Sequence, residues 1–145
     1  MEVWNTAKPS AKKGPPRGTV KASAGLQYED TARLYYEQLG FFFHSRNFRW
    51  HRLEADLLFL FPDKQRYLLV EVRGRSNRRF GVGDGLNPAK KKNLIRLAEA
   101  LLRKLKRPLQ LEYLEIEGEW DDQAHHQRKC GQVPTAFRIH RYRVC

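Results

Sequence analysis

Two short apolar runs flank a breaker cluster in the middle of the chain, and the remaining pattern is arranged around them. From Leu53 to Arg73 the sequence reads LEADLLFLFPDKQRYLLVEVR, with apolar residues alternating on either side of Pro62-Asp63-Lys64-Gln65. That spacing predicts two strands joined by a tight turn, both in a sheet core. Period-two alternation places Glu54, Asp56, Leu58 and Leu60 on one face of the first strand, and Tyr67, Leu69, Glu71 and Arg73 on one face of the second. Each face is apolar near the turn and charged far from it.

Upstream, Tyr28, Ala32, Tyr35 and Leu39 recur at helical spacing, and Gly40 is placed to end a helix that begins near Ala24. Phe41 to Phe48 reads as an opening strand. Downstream, Asn87-Pro88 supplies an N-cap and a first-turn proline, Leu94, Leu97, Ala98, Leu101 and Leu105 form a buried stripe, and Pro108 stops the helix. Gln110 to Glu117 alternates as a fourth strand with Leu111 and Tyr113 inward, and Ala136 to Val144 as a fifth. Residues 118–135 are polar and read as irregular. The order predicts a single-domain α/β protein over residues 23–145, a mixed sheet with helices against it. Residues 1–22 carry five Lys or Arg against Glu2 among prolines and glycines, a composition that cannot build a core and predicts a flexible basic tail.

The charged ends of the two central strands are where chemistry enters. A hairpin centred between Asp63 and Lys64 sets Asp56 opposite Glu71 and Glu54 opposite Arg73. Opposed carboxylates repel, and on a partly buried face they need a counter-charge. A hard divalent cation such as Mg2+ would supply it. Alternatively, Arg73 neutralises Glu54 across the strands while Asp56 and Glu71 sit at a wet sheet edge.

Charge along the chain sharpens this picture. The 145 residues have a formal net charge of +12, which points to a polyanionic partner. Fourteen Lys or Arg and three acids fall between Lys64 and Arg107, so nearly all the excess lies in the motif's own neighbourhood. Carboxylates beside a cationic wall suit a metal site that must receive a phosphodiester. The glycine-rich stretch 74–86, with Arg75, Arg78 and Arg79, reads as a substrate-facing loop. Lys90, four residues before Leu94, projects from the first helical turn on the core-facing side, and with Lys91 and Lys92 it crowds the positive end of the helix dipole, an arrangement that a bound anion would relieve. Arg46, Arg49, Trp50, His51 and Arg52 mix aromatics with cations as a base-stacking surface would, although aromatics in a strand are more often core.

No apolar run reaches membrane-spanning length and the first residues lack the apolar core of a signal peptide, so no membrane partner is expected. Cys130 and Cys145 make no disulfide framework, which agrees with a cytoplasmic location. His125, His126, Cys130 and His140 match no standard zinc-ligand spacing.

Asp56 followed by Glu71-Val72-Arg73 resembles the PD-(D/E)XK signature of restriction-endonuclease-like nucleases, with Arg in the Lys position. The series GLQYEDTARLYYEQLGFF, RNFR, LEADLL, LLVEVRGRS and NPAKKKNLIRLAEALL is similar, in the same order, to the YraN family, over about residues 25 to 117. The resemblance implies a restriction-endonuclease-like α/β fold and a Mg2+- or Mn2+-dependent nuclease acting on DNA, with branched and single-stranded forms both open as substrates; archaeal Holliday junction resolvases show a similar Glu, Asp, Glu-x-Lys set. It makes Asp56 and Glu71 the metal ligands and places Glu29 with them as the family's first-helix Glu. Glu54 would serve beside them, Lys90 would supply the lysine function in place of Arg73, which Glu54 would hold across the hairpin, and Arg75, Arg78, Arg79, Lys91 and Lys92 would contact the nucleic acid. A homodimer is expected because resolvase-like nucleases often act as dimers. Tyr28, Leu53, Ala55 and Arg73 depart from the family pattern. The departure at Arg73 leaves a second expectation, a nucleic-acid-binding relative that has lost hydrolysis.

Overall fold

A computed structural model describes residues 20–76 and 86–145, with side chains from residue 25 onward. In chain order the elements are α1 (Val20–Gln38), β1 (Phe42–Trp50), β2 (Leu53–Leu60), β3 (Tyr67–Arg75), α2 (Pro88–Leu105), β4 (Leu109–Glu117), α3 (Asp122–Lys129) and β5 (Arg138–Arg143). The strands form one five-stranded sheet in sequential order, parallel between β3 and β4 and antiparallel at the other three junctions. This is the expected mixed sheet flanked by helices, a restriction-endonuclease-like α/β fold. Because β3 and β4 run parallel, the chain must cross over between them, and α2 is that crossover.

The helices cover opposite faces. Leu94, Leu97, Ala98 and Leu101 of α2 pack on Phe48, Ala55, Leu58, Leu69 and Leu111. On the other face, Tyr28, Ala32 and Tyr36 of α1 pack on Leu57, Phe59, Leu68, Val70, Leu114 and Ile116, joined by Ala124 of α3. The α1 stripe is rotated from the expected one: Tyr36 is fully buried, whereas Leu39 is 47% exposed beyond the helix end. Gly40 takes φ 96° there, a backbone turn that favours glycine. The helix also begins at Val20, inside the stretch expected to be tail; residues 1–19 lie outside the described residues. Residues 122–129, expected to be irregular, form α3, whose N-cap Asp121 accepts the Ala124 N–H at 2.8 Å through its side chain. No described helix is long and apolar enough to cross a membrane.

The β2–β3 hairpin positions the charged residues. Its ladder runs from Leu60↔Tyr67 to Leu57↔Val70, in the register predicted from the turn. One residue further, where Asp56 would meet Glu71, the side chain replaces the ladder, and Asp56 Oδ2 accepts the Val72 N–H at 2.8 Å. Strand alternation breaks at the same point. Leu57 and Phe59 face the α1 core, yet Ala55 lies with Leu58 in the α2 core, so the expected common face through Glu54, Asp56, Leu58 and Leu60 is not kept. Across on β1, Asn47 lies between the pairs Arg46↔Leu57 and Phe48↔Ala55 and takes φ 54°, a left-handed conformation that asparagine tolerates better than most residues. The irregularity turns the Asp56 carboxyl into the fork between β2 and β3, where it feels charges from both faces of the sheet: Glu29 of α1 and Lys90 of α2.

Candidate active site

The site is assembled from the fork and the first turn of α2. Asn87 Oδ1 accepts the Lys90 N–H at 2.8 Å, and Pro88 occupies the first helical position, so the helix start is fixed by its cap. With the buried Leu94 one turn further on, Lys90 is aimed at the sheet, and its Nζ lies 3.1 Å from Glu71 Oε2. Tyr67 and Leu69 of β3 belong to the α2-facing core, so alternation carries Glu71 to that face as predicted.

Burial and crowding act together on the carboxyls. Burial, and after it the negative charge of Asp56, pushes the Glu71 carboxyl up to about 8, against the pull of Lys90. Asp56 is also held above the usual carboxylate range by burial, partly offset by the Val72 N–H and by Lys90. The Asp56 and Glu71 carboxyls are within hydrogen-bonding reach of each other, a contact that is attractive only while one of them holds a proton. Glu29 is raised to about 7, first by burial and then by the charge on Asp56. Its Oε1 and that of Glu71 are both buried without a hydrogen-bond donor among the described residues.

Buried carboxylate oxygens without donors are costly unless a proton or a cation neutralises them. A hard divalent ion prefers this donor chemistry, with one or two carboxylates and the remaining positions filled by water or phosphate oxygens. Asp56 and Glu71 therefore fit such an ion. Among the described residues no group of three or more His, Cys, Asp or Glu side chains is placed to hold a metal ion, so the remaining positions of an ion at Asp56 and Glu71 would fall to water or phosphate oxygens.

The other candidates fall in different places. Glu54 is bound by Arg49 of β1, Oε2 to Nε at 3.0 Å, and the β2–β3 ladder has closed before it could pair with Arg73. Arg73 is exposed on β3, and its register neighbour on β4 is Glu115. Arg75, expected at the nucleic acid, is instead 9% exposed, with Nε 3.3 Å from Glu115, which is completely buried. Alternation from Glu71 carries both Arg73 and Arg75 to the face that holds Glu115, and only the second is enclosed there. Lys91 and Lys92 are exposed at the start of α2. Arg78 and Arg79 lie outside the described residues. His125 packs against Trp120 and His140 lies 3.2 Å from Glu117, so the histidines do not converge on a zinc site. Trp50 sits against the α2 core with Lys104 over its ring, the reading its strand position favoured.

Pattern reading missed the buried glutamates of β4. Glu112, Glu115 and Glu117 are all buried, and Glu112 is held by Tyr36 Oη at 2.8 Å and by two nitrogens of Arg141 at 2.6 and 3.0 Å. It also missed Asp30, which lies beside Glu29 and joins Arg46 of β1 and Arg128 of α3 in ion pairs. The only sequence signal was the excess of Glu in an otherwise apolar strand.

Comparison with known proteins places this arrangement in a family. A family model described as "Uncharacterised protein family UPF0102" matches residues 28–129, a span that contains Glu29, Asp56, Glu71 and Lys90. The chain belongs to the UPF0102 family. This is the YraN-like family of the PD-(D/E)XK nuclease-like superfamily to which the short motifs pointed. A UPF0102 protein of Janthinobacterium sp. (strain Marseille) is 38% identical over 91 residues, covering 62% of this chain and 72% of that protein. A UPF0102 protein of Herminiimonas arsenicoxydans is 33% identical over a span of the same coverage.

Proposed function

We propose that this UPF0102 protein is a divalent-metal-dependent endonuclease that hydrolyses DNA phosphodiester bonds, with Asp56 and Glu71 holding Mg2+ or Mn2+. The observation that carries the proposal is the half-buried Asp56–Glu71 pair, with Lys90 Nζ 3.1 Å from one Glu71 oxygen and the other, itself buried, lacking a donor among the described residues. When bound, the ion supplies Lewis-acid polarisation of a phosphoryl oxygen and a more acidic water. The chain's own groups do the rest. Lys90 presents a compact ammonium that can pass from Glu71 to a phosphate oxygen as charge develops there. Glu29, raised to about 7, can take or give a proton near neutral pH. Arg73 cannot act as a base and contributes only its positive charge, while Lys91 and Lys92 draw the phosphate backbone toward the fork.

Purified protein incubated with plasmid, branched and single-stranded DNA, with and without Mg2+ or Mn2+, tests the reading. Metal-dependent cutting abolished by Asp56→Ala is the expected result. The arginine at position 73, where the motif has lysine, favours one other reading, a DNA-binding relative without hydrolysis. Salt-sensitive binding with no cutting under any metal would select it. The acting unit on branched DNA is proposed to be a homodimer, which sedimentation with and without DNA checks.

A further inference from the structure

A groove on the α1 face begins beside the carboxylate pair. Gly25, Tyr28 and Glu29 of α1, Val72 and Gly74 of β3, Ser76 and Trp120 line a cavity of about 480 Å3. That is within the roughly 300–1,000 Å3 of small-ligand sites. Val72 links the two features, because its N–H is bonded to Asp56 while the residue forms part of the groove wall. Glu29 links them too, lining the groove and sensing the charge on Asp56.

The walls are aromatic and fixed in advance. A Cβ on Gly74 would come 2.0 Å from the Tyr28 ring, so the absence of a side chain there lets the tyrosine lie directly on β3. Tyr28 Oη donates to the Gly118 carbonyl at 2.9 Å, which anchors the far end of the ring. Trp120 is packed against Phe137, centroids 4.8 Å apart, and against Tyr28 at 5.6 Å. Its Nε1–H is nevertheless buried and meets no acceptor among the described residues. A preformed aromatic wall with a carboxyl on its rim matches a flat heterocycle that carries an amine.

We propose that this groove receives an unpaired nucleobase of the DNA strand whose phosphate lies at Asp56 and Glu71, with the base against the Tyr28 and Trp120 wall and Glu29 accepting from it. The inference rests on the nuclease reading for the position of the phosphate. Within an intact duplex the bases are stacked and paired, so only a bulged, branched or single-stranded nucleotide can enter. The groove would thus select the DNA structure, leaving base sequence only weakly read.

The test is fluorescence anisotropy of the full chain in EDTA with three labelled DNAs: a duplex, the same duplex with a one-nucleotide bulge, and a single strand. The wild type should bind the bulged duplex roughly tenfold more tightly than the plain one, the scale of one base–aromatic stack. Trp120→Ala should erase that preference and leave plain-duplex affinity within about twofold, since the phosphate contacts that dominate it are elsewhere. Gly25→Phe gives an independent variant if Trp120→Ala does not fold, because a Cβ at Gly25 meets nothing within 4 Å and the ring would fill the groove. No bulge preference in the wild type, or one unchanged in both folded variants, overturns the proposal. With Mg2+ added, equal Asp56-dependent cutting of bulged and plain duplex overturns the groove and leaves the metal-nuclease reading standing. A Trp120-dependent bulge preference with no cutting of any DNA overturns the nuclease reading and supports the groove as a binding site.

Discussion

Lys90 Nζ lies 3.1 Å from Glu71 Oε2, so the first turn of α2 delivers a cation to a carboxylate that burial, and after it the charge of Asp56, holds well above the usual carboxylate range. The pair joins two residues that are 19 positions apart in sequence and share no local pattern. It also sets the protonation behaviour of the site, from which the first two predictions follow.

The metal-free protein should lose stability as pH rises from about 5 to about 8. Glu71 is raised from 4.5 to about 8 in the folded chain, so within that window the native state retains a proton that the unfolded chain has released. Its stability therefore declines through the window, and the decline is complete only above the folded value. Glu71→Gln, which cannot ionise, should flatten the decline and melt several degrees higher than wild type at pH 8. Thermal melts at both pH values check this; a Gln variant that gains nothing at pH 8 would contradict the shared-proton arrangement.

Divalent metal should compete with that proton. Calorimetry with Mn2+ should show binding that strengthens from pH 6 to pH 8 and releases protons, seen as a heat that depends on the buffer's ionisation enthalpy. The Asp56→Ala, Glu71→Ala double variant should bind at least tenfold more weakly. Equal binding by both proteins would remove the metal site.

Lys90, rather than Arg73, should carry the lysine function in cleavage. Lys90→Ala should lower kcat by at least about 100-fold, the scale for removing one preorganised charge-stabilising donor. Arg73→Lys should be tolerated or faster, because a compact ammonium serves a phosphate at least as well there. Normal cutting by Lys90→Ala together with a dead Arg73→Ala would reverse the assignment.

Arg75 should matter for folding and not for DNA. Removing it takes a guanidinium away from the fully buried Glu115, so Arg75→Ala should cost about 3 kcal/mol in urea unfolding. The salt dependence of DNA binding should stay the same. Lys91→Ala with Lys92→Ala should do the opposite, flattening the salt slope by roughly 0.9 for each phosphate that is no longer neutralised while hardly changing stability. A flatter slope in Arg75→Ala would place that side chain at the DNA after all.

The sequence by itself determined the elements whose signals are local. Breakers at 62–65 fixed the β2–β3 turn and hence its register, and Asn87-Pro88 fixed the start of α2 and the aim of Lys90, because a cap and a 3.6-residue period need no distant partner. Alternation along β3 also carried Glu71 to the α2 face, where Lys90 meets it. Tertiary structure decided what surrounds them. Asp56 lies in the fork only because alternation breaks at it and at Asn47 on the neighbouring strand, a distortion that no single-strand period encodes. Arg75 reads as a loop cation until β4 is laid beside it, and the partners that hold Glu115, Glu117 and Glu112 come from β3, β5 and α1. Trp120 and Tyr28 are 92 positions apart and meet only because α1 crosses the end of β3 where Gly74 leaves room. Burial, ion pairing and cavity shape depend on contacts between distant segments, and those are settled only when the sheet and its two helical layers close together.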